Sequence, residues 1–268
     1  MASWKLEGSG KLTFDRVDRV VVGTVEGAVS VVGTDCEPTL EVQELAGSPL
    51  RVRHEDGVLT VDYERPPRPG LLSWLSGWGR RYRAVLSLAV PRDCRVELRV
   101  VSASLMVSGL RAPVRARAVS GEITLAGLGG PADAETISGS IEASGVSGDL
   151  SAGTVSGDLT VAEGGGSVRA HTVSGAIALD LEASGERDIQ LSSVSGDLTV
   201  RLPGASDLQV QLQSTSGQVA SAFDELALDR TPGLHAAEGR LGAGTGRLRA
   251  TSTSGHVALL RRAPEIQA

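Results

Sequence analysis

The stretch TVSGDLTV at residues 154–161 returns almost unchanged as SVSGDLTV at 193–200, and its reading decides the fold. A hydrophobic residue or Thr precedes Ser-Gly at Val119-Ser120-Gly121, Ile137-Ser138-Gly139, Val155-Ser156-Gly157, Val173-Ser174-Gly175, Val194-Ser195-Gly196, Thr215-Ser216-Gly217 and Thr253-Ser254-Gly255. The glycines step by 18, 18, 18, 21, 21 and 38 residues. An extra Val146-Ser147-Gly148 falls nine residues after Gly139, as if one turn carried the motif on two sides. A fixed period of about 18–21 residues describes a coil in which each turn is one structural unit.

Within the unit the pattern alternates. Leu159 and Val161, Ile177 and Leu179, and Leu198 and Val200 share one face, while Asp158, Thr160, Ala178, Asp197 and Thr199 share the other. A period of two, with β-branched residues and a Gly in every unit, excludes helix. The prediction is an all-β chain, a β-solenoid resembling a single-stranded β-helix, with equivalent residues about 4.8 Å apart along its axis. In it, Gly supplies the φ values of a sharp corner, and each Ser stacks on the Ser above and below to share hydroxyl hydrogen bonds. A nucleophilic serine would need a single strained elbow of G-x-S-x-G form, and the sequence has none.

The residue after each Ser-Gly runs Glu122, Ser140, Asp158, Ala176, Asp197, Gln218, His256. Acids on alternate turns lie nearly 10 Å apart, too far to share a calcium ion with ligands at about 2.4 Å, and the spacing keeps like charges off adjacent strands. His54, His171, His235 and His256 are scattered without metal-ligand spacing. Cys36 and Cys94 are too few and too far apart for a disulfide framework or a zinc site and read as free thiols. No phosphate loop or dinucleotide fingerprint occurs. No cofactor and no metal are expected.

Upstream, 16–35, 40–43, 50–66 and 82–109 also read as short alternating strands, with a hairpin turning at Asp56-Gly57. The expectation is a single domain over 1–268. Its parts are an irregular β-rich N-terminal region over 1–100, regular repeats over 101–217, and C-terminal turns and a cap over 218–268. Residues 223–246 read as an insertion or short helix followed by a Gly-rich turn. Aromatics make up 3% of the chain against 34 glycines, so the core is built from small aliphatics.

A net charge of −6 disfavours binding to phosphate backbones, and no nucleic acid partner is expected. The start MASWKLEGSGKLTF lacks the pattern of a secretory signal, and no apolar run approaches the roughly 18–20 residues of a membrane span. Cytoplasmic localisation is the expectation, with peripheral contact at the inner face of the membrane as an addition to it.

One segment departs from this pattern. RPGLLSWLSGWGRRYR (68–83) packs Leu71, Leu72, Trp74, Leu75 and Trp78 ahead of Arg80, Arg81 and Arg83, and holds two of the three tryptophans of the chain. Trp beside Leu with trailing Arg suits a membrane interface or a partner's groove. The competing reading is a loop that folds its tryptophans back as a cap on the open solenoid end.

The blocks LSLAVPRDCRVELRVVSASLMVSGLRAPVRARAVSGEITL (86–125), SVSGDLTVRLP (193–203) and GRLGAGTGRLRATSTSGHVALLRR (239–262) give the sequence a specific resemblance to the DUF4097 family, the "putative adhesin" β-strand repeat proteins of bacteria. The resemblance covers most of the chain. It implies a β-solenoid scaffold with no catalytic residues to carry over, and relatives that include accessory proteins of cell-envelope stress systems. Many members look secreted or membrane-anchored, whereas this sequence shows neither signal nor span.

Three functional readings follow. The first is a non-catalytic scaffold or adhesin-like binding protein presenting strand ladders to a protein partner or to its own copies. The second is an envelope-stress accessory protein bound peripherally to the membrane through residues 71–83. The third, a polysaccharide-acting β-helix enzyme, calls for paired carboxylates and aromatic platforms. Between 119 and 217 the only aromatic-like side chain is His171, which argues against it.

Overall fold

In each repeat, Thr and Ala or Leu alternate with outward polar residues until a Gly turns the chain, and this pattern recurs as a parallel stack. The computed structural model describes residues 2–64, 82–181, 186–231 and 234–262. They fall into two compact units, Met1–Thr124 and Leu125–Ala268, and every regular element described is a β-strand.

The first unit is the irregular one. Where short strands were expected, Arg19–Thr34 is a single strand of 16 residues. It pairs in parallel with Val58–Tyr63 over its first part, with Arg83–Pro91 over its second, and with Arg95–Ser108 along most of its length. Antiparallel strands complete the unit: Ala2–Leu6 on Leu50–Glu55, and Gly10–Thr13 on Thr39–Ala46. The predicted hairpin is present. Leu50–Glu55 and Val58–Tyr63 pair antiparallel around Asp56 (φ 49°) and Gly57 (φ 77°), the two positive φ values that a tight hairpin turn requires.

The second unit contains two parallel ladders. In the first, Ala132–Ser138, Leu150–Ser156, Val168–Ser174 and Asp188–Ser193 succeed one another in register, so that Thr136, Thr154, Thr172 and Ser193 form one column. In the second, Ile141–Ser144, Leu159–Ala162, Ile177–Asp180 and Leu198–Leu202 do the same. The core between them is aliphatic, as expected: Leu150, Ala152, Leu159, Val161, Ile177, Leu179, Ile189 and Leu198 are all buried. Each Leu, Ile or Val taken fully out of water contributes about 1.5–3 kcal/mol, so a turn carrying three or four of them holds to its neighbours without aromatics.

Stacking order then departs from sequence order. Gly246–Ser252 pairs in parallel with Asp188–Ser193 on one side and with Leu208–Ser214 on the other. Val257–Arg261 likewise lies between Leu198–Leu202 and Val219–Ser221. The turn latest in sequence is therefore an inner turn. Residues 223–246 contribute no helix among the described residues. Leu226–Thr231 and Leu234–Leu241 form an antiparallel hairpin whose second strand pairs with Leu208–Ser214 and so covers that ladder's last edge. The segment is rich in helix formers, but an uncovered row of backbone N–H and C=O groups selects a strand over local propensity.

Candidate interaction surface

The Ser-Gly corners place their side chains differently from expectation. Ser138, Ser156, Ser174 and Ser195 face solvent and do not form an internal hydroxyl ladder. The buried hydroxyls belong two residues earlier, to Thr136, Thr154, Thr172, Ser193, Ser252 and Ser214. Several of these tie the corner down. Thr154 donates to the carbonyl of Gly139 at 3.2 Å, Ser252 to that of Gly196 at 3.2 Å, and Ser214 to that of Gly255 at 2.8 Å. The hydroxyls of Thr136, Thr172 and Ser193 are buried without a hydrogen-bond partner.

The glycines are required mainly by close approach. A Cβ on Gly157 would overlap the carbonyl oxygen of Gly139, and one on Gly175 that of Gly157. The same holds for Gly196 over Gly175, and for Gly255 over Gly196. The half-turn copy repeats the device, since a Cβ on Gly148 would strike Gly130 and one on Gly166 would strike Gly148.

The acids after the corners act as caps between turns. Asp158 accepts the backbone N–H of Ala176 at 2.8 Å, and Asp197 accepts that of His256 at 2.8 Å. His256 Nδ1 in turn accepts the N–H of Gln218 at 3.0 Å. Each such side chain serves the next turn, so a neutral neighbour suffices. Among the described residues no group of three His, Cys, Asp or Glu side chains could hold a metal ion.

Immediately before each Ser-Gly stands an outward aliphatic residue. Ile137, Val155, Val173 and Val194 are 51%, 46%, 47% and 50% exposed. They lie between paired positions of successive strands, and the backbone links continue from Val173 to Ser195 and from Val194 to Ser254, each at 2.9 Å. The column then passes to Thr253 and Thr215. Four aliphatic side chains at about 4.8 Å spacing make a stripe about 14 Å long, flanked by the small exposed serines. A scattered exposed Val needs no explanation, but a contiguous stripe marks a surface that covers another. The first unit carries a shorter counterpart in Val101 and Val119, 42% and 46% exposed. In the sequence the stripe is visible as the hydrophobic residue of the motif, although the period alone does not turn it outward.

Of the predicted contact residues, Leu71, Leu72, Trp74, Leu75, Trp78, Arg80 and Arg81 lie outside the described residues. Arg83 opens the strand Arg83–Pro91, where its guanidinium meets Glu44 at 3.1 Å and Glu26 at 3.6 Å. Tyr63 and Tyr82, on either side of the 65–81 segment, meet ring to ring at 5.1 Å. Burial pushes the Tyr63 hydroxyl up to about 12, with Glu26 adding to the shift.

Stacked parallel turns, a small aliphatic core and a corner glycine column define a β-solenoid without a helix among its described residues. The chain belongs to the Toastrack DUF4097 family, whose model matches residues 95–260. Its fold is similar to that of a "putative adhesin" from Bacteroides fragilis NCTC 9343, at 10% identity over 95% of this chain and 98% of that one, with a TM-score of 0.50. A "putative adhesin" from Parabacteroides distasonis ATCC 8503 matches at 12% identity over 94% and 96% of the two chains, with a TM-score of 0.42. A "putative lipid binding protein" from the same organism matches at 10% identity over 96% and 98%, with a TM-score of 0.39. No curated protein matches the chain.

Proposed function

We propose that this protein is a non-catalytic, adhesin-like scaffold that presents the outer face of its first parallel ladder to another protein surface, its own copies included. The exposed column Ile137, Val155, Val173 and Val194 carries this reading. An evenly spaced aliphatic stripe offers a strand face to a strand face. The non-catalytic part is supported by the repetition itself: the corner serines Ser138, Ser156, Ser174, Ser195, Ser216 and Ser254 all stand in the same exposed setting, so none of them is singled out as a nucleophile. Replacing Val155 and Val194 together by Glu, two turns apart so that like charges do not share adjacent strands, leaves the core intact, because both side chains point outward. Native mass spectrometry across concentrations, with pull-down of bound proteins, should show an assembly in the wild type that the double variant loses. A wild type that stays monomeric and without partner throughout refutes the reading.

A second reading is supported by residues 71–83, where two of the three tryptophans sit beside a run of leucines. Contact with lipid at the inner face of a membrane through this segment predicts a blue shift of Trp emission on adding anionic vesicles. Trp74→Ser/Trp78→Ser should abolish that shift, and a shift that survives in the variant excludes the segment.

A further inference from the structure

The inward turn of Gly246–Ser252 brings residues far apart in sequence to one open pocket of about 500 Å³, lined in part by Ser167, Arg187, Gln209, Thr245 and Arg247. Arg187 and Arg247 are joined through the backbone, the N–H of Arg247 donating to the carbonyl of Arg187 at 2.7 Å. A third arginine packs on the same turn, since a Cβ on Gly244, which is in the lining, would meet Arg240 Nε at 2.7 Å.

Among the described residues, none of these three arginines has a carboxylate partner. The side chain of Arg187 donates to the carbonyl of Gly164 at 2.9 Å, and burial disfavours its charged form. Two acids share the lining. Asp188 stands next to Arg247 in register, but its Oδ2 accepts from Gln190 at 2.8 Å and faces Arg169 at 3.4 Å. Glu186 is exposed, which leaves three guanidiniums to one uncommitted carboxylate. With Asp188 engaged by Arg169 and Gln190, guanidinium charge exceeds free carboxylate at this turn, and an anion relieves that excess while accepting N–H groups in the fork geometry that suits phosphate and sulfate. Ser167 already accepts the N–H of Asp188 at 3.3 Å, so its hydroxyl proton is free to donate into the same space.

We infer that the pocket between the 186–188 segment and the 244–247 turn is a binding site for a phosphate-type oxyanion, held by Arg187 and Arg247 with Arg240 packed on the same turn. This assignment is independent of the aliphatic stripe and stands or falls separately from it. A phosphoryl group could come from a soluble ester or from a lipid headgroup, and the two sources are separable by experiment.

The test is titration of the full chain with inorganic phosphate and with glycerol phosphate at low ionic strength, followed by calorimetry and thermal unfolding. Arg247→Gln is the principal variant, because its side chain is exposed and makes no hydrogen bond among the described residues; Arg187→Gln is the second. The expected result is saturable binding in the wild type that weakens roughly tenfold in Arg247→Gln, with the ligand-free melting temperature unchanged in that variant. Co-sedimentation with phosphatidylglycerol vesicles, lost in Arg247→Gln, identifies a lipid headgroup as the source; binding of the soluble ester without co-sedimentation identifies a soluble one. Absence of saturable binding, or equal binding in wild type and Arg247→Gln, overturns the assignment.

Discussion

At the scale of single residues, the repeat separates side chains that stack from side chains that merely recur. The corner glycine is held to its identity by the carbonyl oxygen of the turn before it. Gly157→Ala should therefore destabilise the second unit by about 2–3 kcal/mol, whereas the neighbouring Ser156→Ala, exposed in the structure, should stay within about 0.5 kcal/mol of the wild type. Urea denaturation of the two variants decides between stacking at Gly and a hydroxyl ladder at Ser. The buried hydroxyl column gives a second contrast. Ser214 accepts the N–H of Gly217 at 2.9 Å while donating to Gly255, so Ser214→Ala leaves buried groups unpaired and should cost about 1–3 kcal/mol. Thr172 has a buried hydroxyl with no partner, and Thr172→Val should leave the melting temperature unchanged or raise it.

At the scale of elements, the turn of Gly246–Ser252 and Val257–Arg261 supports strands on both of its sides. Leu248 is fully buried within it, and Leu248→Ala should cost about 2–4 kcal/mol. Its amide-exchange signature is specific: Asp188–Ser193 and Leu208–Ser214 should both lose protection, whereas a terminal turn would affect one flank only. The sequence revealed much of what this scale contains. Period and alternation gave the strands, Asp56-Gly57 gave its hairpin, and Val146-Ser147-Gly148 announced a second corner on the turn. Other features were hidden for physical reasons. Spacing reports that turns stack but not in which order, so the 38-residue interval before Gly255 could not reveal an inward turn. Counting by twos from Ala134 through Thr136 would bury Ser138 as well, but the alternation changes phase at the corner, where Ile137 and Ser138 are both exposed before Ile141 is buried again, so the buried hydroxyl is the Thr and the Ser faces solvent. Arg187 and Arg247 meet only through that stacking order, and nothing local in either segment signals a shared pocket.

At the scale of the whole molecule, titration acts on the units in different ways. Tyr63 and Cys94, both in the first unit, are buried, and burial raises each to about 12 from ordinary values of 10.0 and 9.0. The unfolded chain thus loses these protons first as pH rises. Their contribution to stability is complete below about 9 for Cys94 and about 10 for Tyr63, and is lost progressively toward 12. Melting followed in alkali should show this loss, and Tyr63→Phe should blunt it. The acid side has the opposite sign. The hydrogen bond from Arg201, with Arg262 close by, lowers Asp180 in the second unit, and Arg19, with Arg99, lowers Glu97 in the first. Stability from these pairs is present above the ordinary carboxylate values of 3.8 and 4.5 and disappears as pH falls through the depressed ones.

The position of the 246–261 turn also constrains how such a molecule is made and how it changes over evolutionary time. During synthesis, the strands at 188–202 and 208–221 emerge before the segment that joins them, so their parallel pairing with it is completed only once residues 246–261 have been made. A solenoid closed by a wedge of this kind cannot be lengthened by adding turns after the wedge. Duplicated repeats are accommodated upstream, where one 18-residue turn can be copied onto the next without disturbing the closure.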